Sequence, residues 1–154
     1  MFGRAPTGPP LAWSWADQQL HTARNYWVVT ADPTGRPHAR PLWGYWTAPA
    51  LLFSTASRTL ANVRANPRAS VHLESGSDVV IVEGRADVAV DSAELHAFVA
   101  TYNRKYGASL AVHGQQVGDD KHGDGGVVVV HAEVVYAWQR SVETATKWRF
   151  PAPA

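Results

Sequence analysis

The sequence predicts a mainly β domain: a six-stranded antiparallel barrel with peripheral helices. Short β-type runs follow one another with turn chemistry between them rather than helices, which argues against alternating βαβ units. Only one long helical pattern lies between strands. The run Val127-Val128-Val129-Val130 in the last strand implies burial on both faces, the second face being a candidate subunit interface.

The elements follow in order. Residues 1–12 are rich in Pro and Gly and read as an extended or poorly ordered arm, with a single domain over 13–154. Ser14 is placed to cap a helix whose first turn holds Asp17, with Leu20 and Ala23 facing inward. The runs Asn25–Ala31 and His38–Trp46 flank the turn residues DPTGRP and form a hairpin. Pro41 cannot donate to a ladder, so that second strand belongs at an edge or a gap. Residues 50–55 (ALLFST) are a third strand, followed by a helix over roughly 57–66. Ala69–Ser75 and Asp78–Val90 are two more strands. Asp91 and Glu94 have capping-box spacing ahead of a helix carrying Leu95, Phe98, Val99, Tyr102 and Tyr106. Polar, glycine-rich residues 107–126 read as a long loop before the final strand at Val127–Arg140.

Composition narrows function. The 154 residues contain no cysteine, which excludes disulfides and thiolate metal sites. The opening MFGRAPTGPP lacks the apolar core of a secretory leader, and no run approaches a membrane span, so a cytoplasmic protein is expected. Net charge is only +1, yet Pro33–Leu73 holds no Asp or Glu while carrying Arg36, Arg40, Arg58, Arg64 and Arg68. A one-sign stretch of this kind attracts a small anion. Near-neutral charge overall and scarce lysine argue against nucleic acid as partner.

Three segments are candidate sites. At the strand–helix junction, Ser54, Thr55 and Ser57 offer hydroxyls and Arg58 a guanidinium fork where a helix N-terminus favours an anion; the alternative is a simple Ser57 cap. In HARPLWGYW, Arg40 is placed to point toward a pocket, and Trp43 and Gly44 allow a planar ligand to approach, against an ordinary aromatic core. In the tail, Trp148 and Arg149 either fold over a neighbour's site or merely pack. His113, Asp119, Asp120, His122 and Asp124 are metal-capable types, but their order fits no zinc or calcium loop, so no metal is expected. His21, on the first helix, is a candidate haem ligand or general acid.

The segments YWVVTADPTGRPHARPLWGYW and LLFSTASRTLANVRANPRASVHLESGSDVVIVEGRADV resemble the split β-barrel superfamily of pyridoxamine 5′-phosphate oxidase, over roughly residues 14 to 106, with TKWRF extending the likeness. The nearest likeness is to its actinobacterial branch that uses the deazaflavin coenzyme F-420. The resemblance implies a homodimer with cofactor sites at the interface and a small-molecule substrate. It places the cofactor phosphate at Ser54, Thr55, Ser57, Arg58 and Thr59, with Arg40 as the family's second-strand arginine. It lays the cofactor ring along Pro41, Leu42, Trp43 and Gly44, and brings Trp148 and Arg149 from the partner subunit. Where the family commonly has lysine after Ser-Arg, this chain has Thr59, which brings a hydroxyl and no charge. The implied activity is hydride transfer from the reduced deazaflavin to an electron-poor double bond, with Tyr45, Tyr136 or water giving the proton. An FMN-binding oxidoreductase and a non-catalytic cofactor or haem binder are the alternatives.

Overall fold

The computed structural model describes residues 5–151. Of the N-terminal arm, residues 1–4 lie outside that range. The rest is tied down: the Gly8 amide donates to the Glu143 carbonyl at 2.8 Å and the Leu11 amide to Thr146 Oγ1 at 2.8 Å.

Helix α1 (Trp13–Thr22) begins one residue before Ser14, so Ser14 does not cap it; Ala12 holds the cap position without a side-chain bond. Burial fixes this helix instead, through Ala16 and Leu20. Strands β1 (Tyr26–Ala31) and β2 (Pro37–Leu42) form the expected hairpin. Its turn is organised by Asp32 Oδ1, which accepts the Thr34 and Arg36 amides at 2.9 and 3.0 Å. The predicted second strand does not run through to Trp46. It breaks at Trp43, and β3 (Gly44–Thr47) turns away to pair with β4 (Ala50–Thr55). Then come α2 (Arg58–Ala65), β5 (Arg68–His72), β6 (Asp78–Ala89) and α3 (Ser92–Tyr106).

Residues 107–126 are not a loop. They form the hairpin β7 (Ala111–His113) and β8 (Gln116–Asp119) and the start of β9 (Gly123–Gln139). Alternating apolar residues are sparse there, so the pairing came from the neighbouring backbone rather than from a hydrophobic pattern. A short 3-10 turn (Val142–Thr144) leads into β10 (Thr146–Arg149), which pairs with β9 of its own chain.

All pairings are antiparallel, in the order β2-β1-β5-β6-β9-β4-β3, with β8 and β10 also on β9 and β7 on β8. The sheet does not close into a barrel, as in a split-barrel fold. Among the described residues, ten strands therefore replace the six expected, β6 and β9 long and the others short. Pro41 sits on β2, at an end of this order, where its missing donor breaks no inner ladder.

The long strand β9 separates two cores. Val128, Val130 and Ala132 face one, with Tyr26, Val28 and Phe53. Val127 faces the other, with Tyr45, Leu95, Phe98 and Val117. Alternation along one strand produces both faces. The second face of the valine run is thus covered by α3 and β8 of the same chain, correcting the expectation of a subunit interface there.

Candidate functional site

At the end of β4 the chain turns into α2, and hydroxyls hold the turn. Ser57 is the helix cap, its Oγ accepting the Thr59 amide at 3.2 Å. Thr55 Oγ1 accepts the Ser57 amide at 3.1 Å and lies 2.8 Å from Ser57 Oγ. These two hydroxyls are committed to each other and to the backbone. Thr59 is fully buried, and its Oγ1 has no partner. Its hydroxyl is therefore withheld from any ligand at the surface. Arg58 is exposed at the helix start, and Ser54 is half-buried one turn before it.

Beside this junction lies a cleft of about 270 Å³. Trp43, Ser54 and Thr55 line it together with Tyr102, Leu110 and Val117. The β8–β9 turn closes the other side with Asp119, His122 and Asp124. The start of β9 can come this close to β4 because residue 125 is glycine: a Cβ there would stand 2.8 Å from the Thr55 carbonyl carbon.

The Trp43 ring is 42% exposed and held from behind. Tyr106 stacks on it with centroids 4.7 Å apart and planes 4° from parallel. The Arg24 guanidinium lies 4.9 Å from its centroid. Tyr106 Oη accepts the Gly44 amide at 2.9 Å and sits 2.5 and 2.8 Å from the Gly44 and Arg24 carbonyls, with one proton to give between them. Lys105 Nζ donates to the Gly44 carbonyl at 2.9 Å and to Tyr26 Oη at 3.0 Å. The end of α3 therefore pins the backbone at Gly44, where β2 gives way to β3. Burial lowers the Lys105 ammonium to about 8. Burial, then Tyr106 and Asp119, push the Tyr102 phenol up to about 12.

On the β8–β9 turn, Asp119 Oδ1 accepts the Lys121 and His122 amides at 3.0 and 2.7 Å. His122 Nδ1 lies 2.9 Å from the same oxygen. The hydrogen bond from His122 chiefly holds the Asp119 carboxyl below its usual range. Asp124 Oδ1 meets His113 Nδ1 at 2.7 Å. Among the described residues, no group of three or more His, Asp or Glu side chains is arranged to hold a metal.

Of the expected residues, the cleft gathers Trp43, Ser54 and Thr55, while Gly44 is buried behind it. Arg40 and Pro41 are exposed on β2, Leu42 packs on the main core, and neither Arg40 nor Arg58 lines the cleft. Trp148 packs edge-on against Trp13 of its own chain at 5.3 Å, and Arg149 is exposed on β10. Tyr45 is buried against Phe98, and Tyr136 lies on β9 under Lys147; neither faces the cleft. His21 is exposed on α1, 3.8 Å from Asp17. Sequence reasoning missed Tyr102, Asp119, His122 and Asp124 as site residues. The two tyrosines of α3 were visible as helix-face residues and the His/Asp types as loop residues. Nothing in the sequence showed a hairpin bringing them together.

The sequence matches the family model for pyridoxamine 5′-phosphate oxidase over residues 16–139. No curated protein matches it. Among solved structures, it is similar to the conserved hypothetical protein Rv2991 from Mycobacterium tuberculosis, with TM-score 0.70 and 20% identity over 89% of this chain and 90% of that one. An F420 reductase gives TM-score 0.60 and 19% identity, over 77% of this chain and 94% of that one. A heme binding protein from Mycobacterium smegmatis gives TM-score 0.66 and 15% identity, over 92% of this chain and 60% of that one. At such identities the structures share a fold, and a fold hosts more than one chemistry. The family match covers most of the chain and agrees with the open antiparallel sheet: the protein belongs to the pyridoxamine 5′-phosphate oxidase family.

Proposed function

We propose that the protein is a cofactor-dependent oxidoreductase that binds the deazaflavin coenzyme F-420 and reduces an electron-poor organic substrate. The observation that carries this reading is the cleft itself, with an exposed, back-supported indole at one wall and the arginine-bearing β4–α2 junction at its edge. A flavin-type ring fits the Trp43 face, since stacked aromatics favour planar partners. Ser54 is free to donate its hydroxyl, and Arg58 and Arg40 are exposed and free to meet an anionic tail outside the cleft. Thr55 and Ser57 would act by shaping the turn.

When bound, the reduced deazaflavin supplies a hydride; the protein supplies binding and orientation. Tyr106, Arg24 and Lys105 hold Trp43 and Gly44 in place, so the ring platform is set before a ligand arrives. Leu110 and Val117 add apolar lining to the cleft. Tyr102 remains protonated at neutral pH and can donate a hydrogen bond inside the cleft. FMN would use the same residues, and a homodimer would present the exposed Arg149 to a partner. A second reading, haem binding without catalysis, is favoured by one observation: His122 lines the cleft with Nδ1 bound to Asp119, leaving Nε2 free.

The test is a fluorescence titration of ligand-free protein with coenzyme F-420, FMN and haemin. The expected result is micromolar or tighter binding of F-420 and weaker binding of FMN. Arg58→Ala should weaken F-420 by roughly 10- to 100-fold, the worth of a charge-assisted hydrogen bond. Wild-type affinity in both Arg58→Ala and Arg40→Ala would remove the anion site. Haemin binding with a Soret band that is lost in His122→Ala would move the protein to the second reading.

A further inference from the structure

A lysine in the last turn of a helix ordinarily stays in water and complements the helix dipole. Lys105, in the last turn of α3, turns inward instead. Its Nζ donates to the Gly44 carbonyl and to Tyr26 Oη, and lies 4.9 and 5.3 Å from the centroids of the Tyr26 and Tyr106 rings. Burial alone moves its ionisation, to about 8 from 10.5, with no carboxylate to offset it. From β1 it faces Tyr26, and on α3 Tyr106 with Tyr102 beside it. Arg24, between α1 and β1, lies over the same Tyr106 ring. On α1, Asp17 is turned to Trp46 and His21, and on β3 Tyr45 is stacked on Phe98. Burial, first among the causes, holds the phenols of Tyr26, Tyr102 and Tyr106 above their usual range. Of the groups in contact with Nζ, Lys105 is therefore the first to change charge as pH rises above neutral.

What Lys105 touches is the support of the Trp43 wall. Gly44 follows Trp43 directly, with its amide on Tyr106 Oη and its carbonyl on Lys105 Nζ, while the Trp43 ring rests on the Tyr106 ring. Two consecutive residues of α3 thus seat two consecutive residues at the β2–β3 break. Charge works on this seat in two directions. It strengthens the hydrogen bonds of the ammonium and its attraction to the rings. It also carries the cost of taking an unpaired cation out of water. The lowered ionisation shows that the cost wins. The neutral amine keeps two N–H groups, enough for the Gly44 carbonyl and Tyr26 Oη, and sheds that cost. An ammonium gains hydration whenever it leaves the seat; an amine gains far less.

We propose that Lys105 is a positioning residue for the cleft: through Gly44 and Tyr106 it seats the Trp43 wall, firmly as a neutral amine and loosely as an ammonium, so that the wall is more rigidly set at alkaline than at neutral pH. The sign follows from linkage: the seated form binds the proton more weakly than the released form, so raising the pH through the interval between their ionisations favours the seat. The seat belongs to the ligand-free protein. Its consequence, a firmer hold on a cofactor ring as pH rises, rests on the oxidoreductase reading.

The test uses the ligand-free full chain labelled with fluorotryptophan. Fluorine NMR separates the 7 tryptophans, and the resonance missing from Trp43→Phe is that of Trp43. From about pH 7 to about pH 9.5 the unseated share of the Trp43 signal should fall about tenfold, within what the drop in Lys105 ionisation supplies. Lys105→Arg stays charged and should keep the neutral-pH signal throughout. Lys105→Met carries no charge and should not respond to pH. Circular dichroism confirms that each variant is folded. A wild-type Trp43 signal that is constant across the range, or an equal change in Lys105→Met, overturns the proposal. The F-420 affinity of the wild type relative to Lys105→Met should rise about three- to tenfold over the same range, the gain from a pre-set platform. A titrating Trp43 with no F-420 binding at either pH upholds the seat and strikes the oxidoreductase reading. A constant Trp43 with normal F-420 binding strikes the seat alone.

Discussion

Thr59 is the residue whose environment least suits its chemistry. It is fully buried with an unpartnered hydroxyl, one residue beyond the arginine at the start of α2. A buried hydroxyl without a partner costs about 1–3 kcal/mol of desolvation that an isosteric apolar group avoids. Thr59→Val should therefore leave stability unchanged or raise it by up to ~1 kcal/mol, because some of that cost is already relieved by local packing. Urea unfolding checks this; a loss above about 1 kcal/mol would show that the hydroxyl has a partner in solution. The same substitution should not alter F-420 affinity, since this hydroxyl is not offered to the surface. Reading position 59 as a weakened phosphate ligand was reasonable from the Ser-Arg-Thr order, but order along a helix start does not tell which side chain turns inward.

At the scale of elements, α3 organises the cleft. Asp91 starts it, with Oδ1 accepting the Ala93 and Glu94 amides at 2.9 and 3.1 Å. Gly107 ends it in the left-handed conformation at φ 64°. Between them, Leu95 and Phe98 are buried on the second core, and Lys105 and Tyr106 grip Gly44. Asp91→Ala should cost about 1 kcal/mol, the usual worth of such a cap. Hydrogen exchange should show the loss as fraying of the first turn, without change at Gly44, because the far end of α3 has its own anchors. Uniform loss of protection along α3 would mean that the cap supports the whole helix. This element was legible: spacing gave its length, the cap gave its start, and the polar, glycine-rich run from residue 107 bounded it. The β7–β8 hairpin was not, because its short strands draw their stability from pairing with β9 rather than from an alternating pattern of their own. The break at Trp43 was hidden too, since it depends on partners far along the chain: Gly44 pairs with Phe53, and its carbonyl accepts from Lys105 and Tyr106.

Over the whole molecule, the titratable groups with shifted pKa values should place the stability optimum at alkaline pH. Lys105 falls from 10.5 when unfolded to about 8 when folded. Between those values the unfolded chain binds more protons than the folded one, so stability rises with pH across that window. Tyr26 and Tyr102 do the reverse: burial raises both above 10.0, so above about pH 10 the unfolded chain loses protons first and stability falls. The melting temperature should therefore climb from pH 8 to near 10 and then drop. In Lys105→Met the climb should vanish while the drop remains. An equal climb in the variant would assign it to another group.

The sequence by itself determined that this is a mainly β molecule with a capped central helix, a Pro-marked edge strand, an arginine-rich first half and a hydroxyl-bearing strand–helix junction. Those features are local: alternation, turn residues, cap spacing and charge are written in neighbouring positions. Tertiary structure alone decided that Trp43 stands as a free wall, that Arg40 and Arg58 stay outside the cleft, that Trp148 packs on its own chain and that Asp119, His122 and Asp124 complete the site. Each depends on contacts between residues far apart in the chain, and a hydrogen bond from the Gly44 amide to Tyr106 Oη, 62 positions away, leaves no trace in the sequence around either.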